Sequence, residues 1–95
     1  MALRIHCLEI DDHILEKIEV RHHISFGEVE DACLSDRRHV RKGRDGLYKL
    51  FGQTTAGRYV LVVLVNLGRG TWRVATARDM TVSERRLYAR ALGDG

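Results

Sequence analysis

The sequence predicts one small α+β domain, in which two helices precede a four-stranded antiparallel sheet and a third helix closes the chain. Three patterns predict it. Apolar residues recur at helical spacing up to about residue 34, short β-type runs alternate with glycine-containing turns from residue 39, and a capping-box pattern follows the last run at Thr81. Ninety-five residues suffice for one hydrophobic core and are too few for two.

Ile10, Ile14, Leu15 and Ile18 form an amphipathic stripe, with Asp11 or Asp12 as N-cap, so the first helix is expected from about Asp12 to His22. Ser25 and Glu28 then have capping-box spacing, and Ile24 with Val29 that of a hydrophobic staple. They open a second helix to about Leu34, with Val29, Ala32 and Cys33 inward. After Ser35-Asp36 the period changes to that of a β-meander. His39-Val40-Arg41 is followed by the turn Lys42 to Gly46, then Leu47 to Gln53, then the turn Thr54 to Gly57. Arg58 to Asn66 is the central strand, apolar on both faces between Val60 and Val65 and therefore expected to be covered on both sides. Leu67 to Gly70 turns into a strand from Thr71 to Ala77, on which Thr71, Arg73 and Ala75 share one face and Trp72, Val74 and Thr76 the other. Thr81-Val82-Ser83-Glu84 starts the last helix through Leu87, Tyr88 and Ala91.

A composition of 44% hydrophobic and 31% charged residues, without proline, is that of a globular chain rather than a disordered one. No apolar run approaches the roughly 20 residues of a membrane span, and Met1 to Cys7 lacks the pattern of an export signal. No membrane association and a cytoplasmic location are expected. Cys7 and Cys33 are then expected as reduced small hydrophobes. His6-Cys7 and His22-His23 are adjacent pairs without metal-ligand spacing, so neither a metal nor any other cofactor is expected.

The formal net charge of +3 hides a division along the chain. Residues 1–36 carry a net −6, residues 37–57 +5 and residues 58–90 +5. Eleven of the thirteen basic residues after position 36 are arginine, whose planar fork matches phosphate oxygens. A polyanion, nucleic acid first, is one reading of this half. Pairing with the N-terminal acids inside the fold is the other, and composition does not separate them.

Three stretches carry a family resemblance. Arg21-His22-His23-Ile24-Ser25-Phe26-Gly27-Glu28-Val29-Glu30 resembles the "KHG-hydrophobic-S/D-F-E-E" segment of the BrnT-type toxins, small ribonucleases of the RelE-like group. Leu50-Phe51-Gly52-Gln53 followed by Ala56-Gly57-Arg58-Tyr59-Val60-Leu61-Val62-Val63 resembles that family's central hairpin. Arg73-Val74-Ala75-Thr76-Ala77-Arg78-Asp79-Met80 with Glu84-Arg85-Arg86-Leu87-Tyr88 resembles its closing signature "R-hydrophobic-I-S/T-A-R-x-A/M … E-R-x-x-Y", the most specific of the three. Two departures stand out. The family's first-helix "W-D-x-x-K" is here Ile10-Asp11-Asp12-His13-Ile14, without tryptophan or lysine, and His23 replaces the glycine after the family's histidine.

The resemblance implies a RelE-like fold over residues 1–95 and a toxin of a type II toxin-antitoxin system. Such a toxin is an endoribonuclease that cleaves RNA without metal and is neutralised by a ribbon-helix-helix antitoxin. Attack of the 2′-hydroxyl on the adjacent phosphate needs a base, a cation cluster and an acid for the leaving oxygen. Arg73 and Arg78 are the expected phosphate clamps; five positions apart on a regular strand they would face opposite ways, unless a bend redirects Arg78. His22 is of the residue type best suited to general acid-base work, and with His13 it is a candidate for the missing lysine's role; its alternative is to cap helix carbonyls. Tyr88 either donates to a phosphate or belongs to the core. Glu84 fits a capping box better than a base, and Trp72 fits packing better than base stacking. Arg58, Arg41, Lys42, Arg44 and Arg85 are the expected RNA-backbone contacts. A non-catalytic RNA- or protein-binding module on the same fold is the alternative. A DNA reader is disfavoured, because the helical segment is acidic and shows no helix-turn-helix.

Overall fold

A computed structural model describes residues 3–93. Its elements are β1 (Cys7–Glu9), α1 (Asp12–His22), α2 (Phe26–Cys33), β2 (His39–Lys42), β3 (Leu47–Gln53), β4 (Tyr59–Gly68), β5 (Thr71–Asp79) and α3 (Val82–Ala91). The strands form one sheet in the order β1-β5-β4-β3-β2, parallel at β1–β5 and antiparallel elsewhere. The three helices and β2 to β5 stand within two residues of their expected bounds. The expected four-stranded sheet has a fifth strand. Cys7-Leu8-Glu9 is too short to show alternation, and it is a strand only because β5 accepts it along its open edge.

The local chemistry of the helix ends is the one anticipated. In α2 the Ser25 backbone N–H donates to Glu28 Oε1 (3.0 Å) and the Glu28 N–H to Ser25 Oγ (3.2 Å). Thr81 and Glu84 repeat this reciprocal pair at α3 (2.8 and 3.2 Å), which satisfies N–H groups that a helix start leaves without partners. α1 stops because His23 turns into the left-handed region (φ 54°, ψ 41°), its N–H donating to the Glu19 carbonyl. Glycine adopts that conformation without a Cβ penalty.

Helices cover the two faces of the sheet unequally. α1 lies over β5, and α2 over β3 and β4, enclosing Ile18, Val29, Ala32, Leu50, Val60, Val62, Leu64, Trp72 and Val74 in the larger core. Burial of each such Val, Leu or Ile side chain contributes about 1.5–3 kcal/mol, so this layer dominates stability. α2 packs so closely that a Cβ on Gly52 would lie 2.3 Å from the Ala32 carbonyl oxygen. On the opposite face α3 covers only one end, where its own Tyr88 packs with Phe51, Leu61 and Met80. Both faces of β4 are therefore covered at Val60 to Val62, as expected, whereas Val63 and Val65 are only half-buried.

One irregularity changes which residues share a face. Val63 pairs with Thr76 and Leu64 with Val74, so Ala75 is an extra residue on β5. This β-bulge reverses the alternation beyond it. Arg73 opposite Val65, Thr76 opposite Val63 and Arg78 opposite Leu61 thus all lie on the α3 face. The expected grouping of Thr76 with Trp72 and Val74, and the opposed directions of Arg73 and Arg78, are corrected by that single insertion.

Candidate nucleic-acid interface

The α3 face of the sheet is floored with cations where α3 does not cover it. Strand register places Arg41, Lys49, Val63 and Thr76 in one row across β2, β3, β4 and β5. The next row toward the hairpin ends holds Leu47, Val65, Arg73 and Glu9. Arg41, Lys49, Arg73 and Thr76 are exposed. Arg41 and Lys49 lie directly opposite each other, an arrangement that like-charge repulsion disfavours. Neither has an ion-pair partner among the described residues. Arg73 meets only Glu9, at 3.6 Å and about half exposed on both sides, a contact of little energetic weight.

A cleft of about 330 Å³ opens beside this row, lined by Arg41, Lys42, Lys49 and Phe51 from the hairpin and by Glu84 and Leu87 from α3. Its one carboxylate is already committed. Arg78 grips Glu84 through two parallel bonds, Nη1 to Oε1 at 2.7 Å and Nη2 to Oε2 at 2.9 Å. That pair, with the capping-box bonds, holds the Glu84 carboxyl down at about 2. The cleft therefore presents cations on an apolar floor to an incoming anion, with the Arg78–Glu84 pair fixing its α3 wall.

Lys49 was not singled out by sequence reasoning, although one lysine between Leu47, Leu50 and Phe51 in an otherwise apolar strand is a readable signal. His39 was likewise named only as the first residue of the β-type run His39-Val40-Arg41. It stacks on Phe51 with ring centroids 5.9 Å apart, on the same face as Arg41. Burial, and then the Arg41 guanidinium, lower its pKa below the ordinary histidine value.

The structure distributes the remaining expected site residues. Arg44 is exposed in the β2–β3 turn. Arg85 is on the far flank of α3, its guanidinium 4.3 Å from the Tyr59 ring centroid, beside a cavity of about 360 Å³. Tyr88 is buried under α3, and its hydroxyl donates to the Arg37 carbonyl. Trp72 is buried too, its Nε1 donating to the Arg4 carbonyl at 3.0 Å and its ring edge-on to Tyr48. His22 and His13 belong to α1, on the opposite side of the sheet from the cleft.

Arg58 has a different task from the one expected. Its Nε and Nη2 donate to Asp79 (2.7 and 3.0 Å), its Nη2 also to the His22 carbonyl (2.7 Å), and its Nη1 to the His23 carbonyl (2.7 Å) and to Glu28 (3.3 Å). A guanidinium has five N–H donors, and all five are engaged. Arg58 ties the end of α1, the start of α2 and the end of β5 together, which leaves no donor for a phosphate.

No family model matches the sequence, and no curated protein matches it either. Among solved structures, the ribonuclease toxin BrnT of Brucella abortus is similar with a TM-score of 0.67, over 79% of this chain and 96% of that one, at 13% identity. The chain thus has the α+β fold of BrnT, and in this chain the open sheet face carries a row of cations.

Proposed function

We propose that the chain is the toxin of a type II toxin-antitoxin system, an endoribonuclease that binds RNA across the uncovered α3 face and is neutralised by a cognate antitoxin. The observation that carries the reading is the unpaired row of Arg41 and Lys49 with Arg73 beyond it, on a fold shared with a ribonuclease toxin. Stacking like charges on an exposed face costs stability, and a polyanion in the cleft offsets it. Val63, Val65 and the cleft floor give bases an apolar surface, while Arg41, Lys42, Lys49 and Arg73 take successive phosphates.

Cleavage proceeds by attack of the 2′-hydroxyl on the adjacent phosphorus and needs no metal. Cations aimed at the phosphoryl oxygens stabilise the charge that develops there, and such donors are worth about 10²–10³ in rate each. Arg73 is free to swing onto the substrate. Arg78 acts on the same face but through its hold on Glu84. The proposed partner is a ribbon-helix-helix antitoxin that covers the basic face, and the proposed location is the cytoplasm; the resemblance of the sequence to BrnT-type toxins supports both, and the charge of the face supports the first.

The test is cleavage of a short RNA by purified protein in EDTA, with a DNA of the same sequence as control, and growth on induced expression. Arrest and 2′,3′-cyclic phosphate products, both lost in Lys49→Ala plus Arg73→Ala, are expected. Neither substituted residue holds the fold together, so a soluble double variant that still cleaves at the wild-type rate would refute the assignment of the face.

The alternative, a non-catalytic binding module, is favoured by one observation. The first-helix lysine of BrnT-type sequences is missing, and His13 and His22, the candidates for its role, are carried by the helix on the other side of the sheet. RNA bound by the wild-type protein but left intact at every pH would decide for this alternative.

A further inference from the structure

We propose that His39, beside the cleft, is the general base of RNA cleavage. The proposal rests on the ribonuclease reading above and adds the group that reading lacks. His39 occupies the row that runs through Phe51 and Leu61 to Arg78, next to the cation row, on the face where RNA would lie. His39 does not line the cleft itself, but its ring stacks on Phe51, which does, so packing fixes its orientation at the cleft's edge. Among the five histidines it is the one in this sheet face; His13, His22 and His23 belong to α1 and its cap, and His6 precedes β1.

A base must be neutral at working pH, and the surroundings of His39 favour that form. The charged groups on this sheet face are Arg41 on its own strand, Lys49 on β3, Arg73 on β5 with Glu9 beside it on β1, and, from α3, Glu84, whose charge Arg78 matches. The net field is positive and the ring is half-buried, and both oppose protonation.

In the step, the 2′-hydroxyl proton moves to the free imidazole nitrogen. The 2′-oxygen–phosphorus bond forms as the phosphorus–5′-oxygen bond breaks, and the leaving 5′-oxygen takes a proton from solvent water. A 2′,3′-cyclic phosphate and a 5′-hydroxyl result, and the imidazolium returns its proton to solvent.

The experiment is the pH profile of single-turnover cleavage of a short RNA by wild type, His39→Gln and His39→Phe, with RNA affinity and thermal melting measured on the same samples. His39→Phe keeps an aromatic ring on Phe51 but accepts no proton. Wild-type rate is expected to rise with pH and level off with a midpoint below 6.5. Both variants should lose about 10²-fold or more in rate and lose that acid limb, with RNA affinity within two-fold of wild type. Variants that cleave at the wild-type rate with the acid limb intact would overturn the assignment of His39 alone. Wild-type protein that binds the RNA and leaves it intact would overturn the ribonuclease reading and this proposal with it.

Discussion

Two arginines that look alike in the sequence do different work because of what their guanidinium groups meet. Arg58 and Arg73 both flank apolar strand residues, yet Arg58 has all five donors inside the fold and Arg73 has one long contact to Glu9. The carbonyls of His22 and His23 close a helix end and need a partner there, and the left-handed turn at His23 aims them at Arg58. Removing the guanidinium leaves Asp79 and these carbonyls unsatisfied. Arg58→Ala is expected to lower unfolding free energy by about 2–3 kcal/mol, with little rescue by lysine, which lacks the planar fork. Urea denaturation checks it. Arg73→Ala should change stability by less than about 0.5 kcal/mol, since both partners of its ion pair are half exposed. If the two variants were equally stable, the contrast drawn between the residues would be wrong.

At the scale of elements, a common device fastens helices to the sheet: each capping-box glutamate is also held by a strand-side arginine. Glu28 meets Arg58, and Glu84 meets Arg78. The capping boxes were legible in the sequence because they are local, three residues apart. The arginine partners were not, since their separations in sequence are 30 and 6 and depend on sheet register. The same distinction accounts for the rest. Helix stripes and glycine turns placed seven of the eight elements, whereas β1 exists only by pairing with β5 and the extra residue Ala75 has no local mark. That bulge decides the site, because it turns Arg73 and Arg78 to one face. The device has a pH signature. Folding lowers the Glu84 pKa from 4.5 to about 2, through Arg78 first, so the folded state binds that proton less readily than the unfolded chain. Its stabilisation is complete above about pH 4.5 and is lost as pH falls toward 2. The Arg78 side chain is more than one-third exposed, so solvent screening reduces the contribution to about 1–2 kcal/mol. Glu28 and Asp79, both lowered, act in the same direction and persist as background. Glu84→Gln should therefore be less stable than wild type at pH 7 and close to it at pH 2.5; a constant difference across that range would show that the ion pair does not supply the effect.

Over the whole molecule, the division of charge along the chain becomes a division across the sheet. The net negative segment of residues 1–36 supplies α1, α2 and the short edge strand β1, and the basic segments supply β2 to β5 and α3. A polyanion approaching such a particle is repelled by one side and drawn to the other, so the charge asymmetry orients the encounter before any contact forms. The cations of the open sheet face and its cleft then set how many phosphates are neutralised. Arg41, Lys42, Lys49 and Arg73 are four such cations, which predicts a slope of about −3 for log K against log salt on single-stranded RNA, at about −0.7 per phosphate. Lys49→Ala should reduce that slope by about 0.7 and weaken binding to unrelated sequences alike, because phosphate contacts carry no base readout. Lys17→Ala, in α1 across the sheet, is the control and should leave the slope unchanged. Salt titrations of the three proteins on two unrelated RNAs measure all of this together. A Lys17 effect as large as the Lys49 effect would place the RNA on the helical layer and remove the basis for reading the open sheet face as the binding surface.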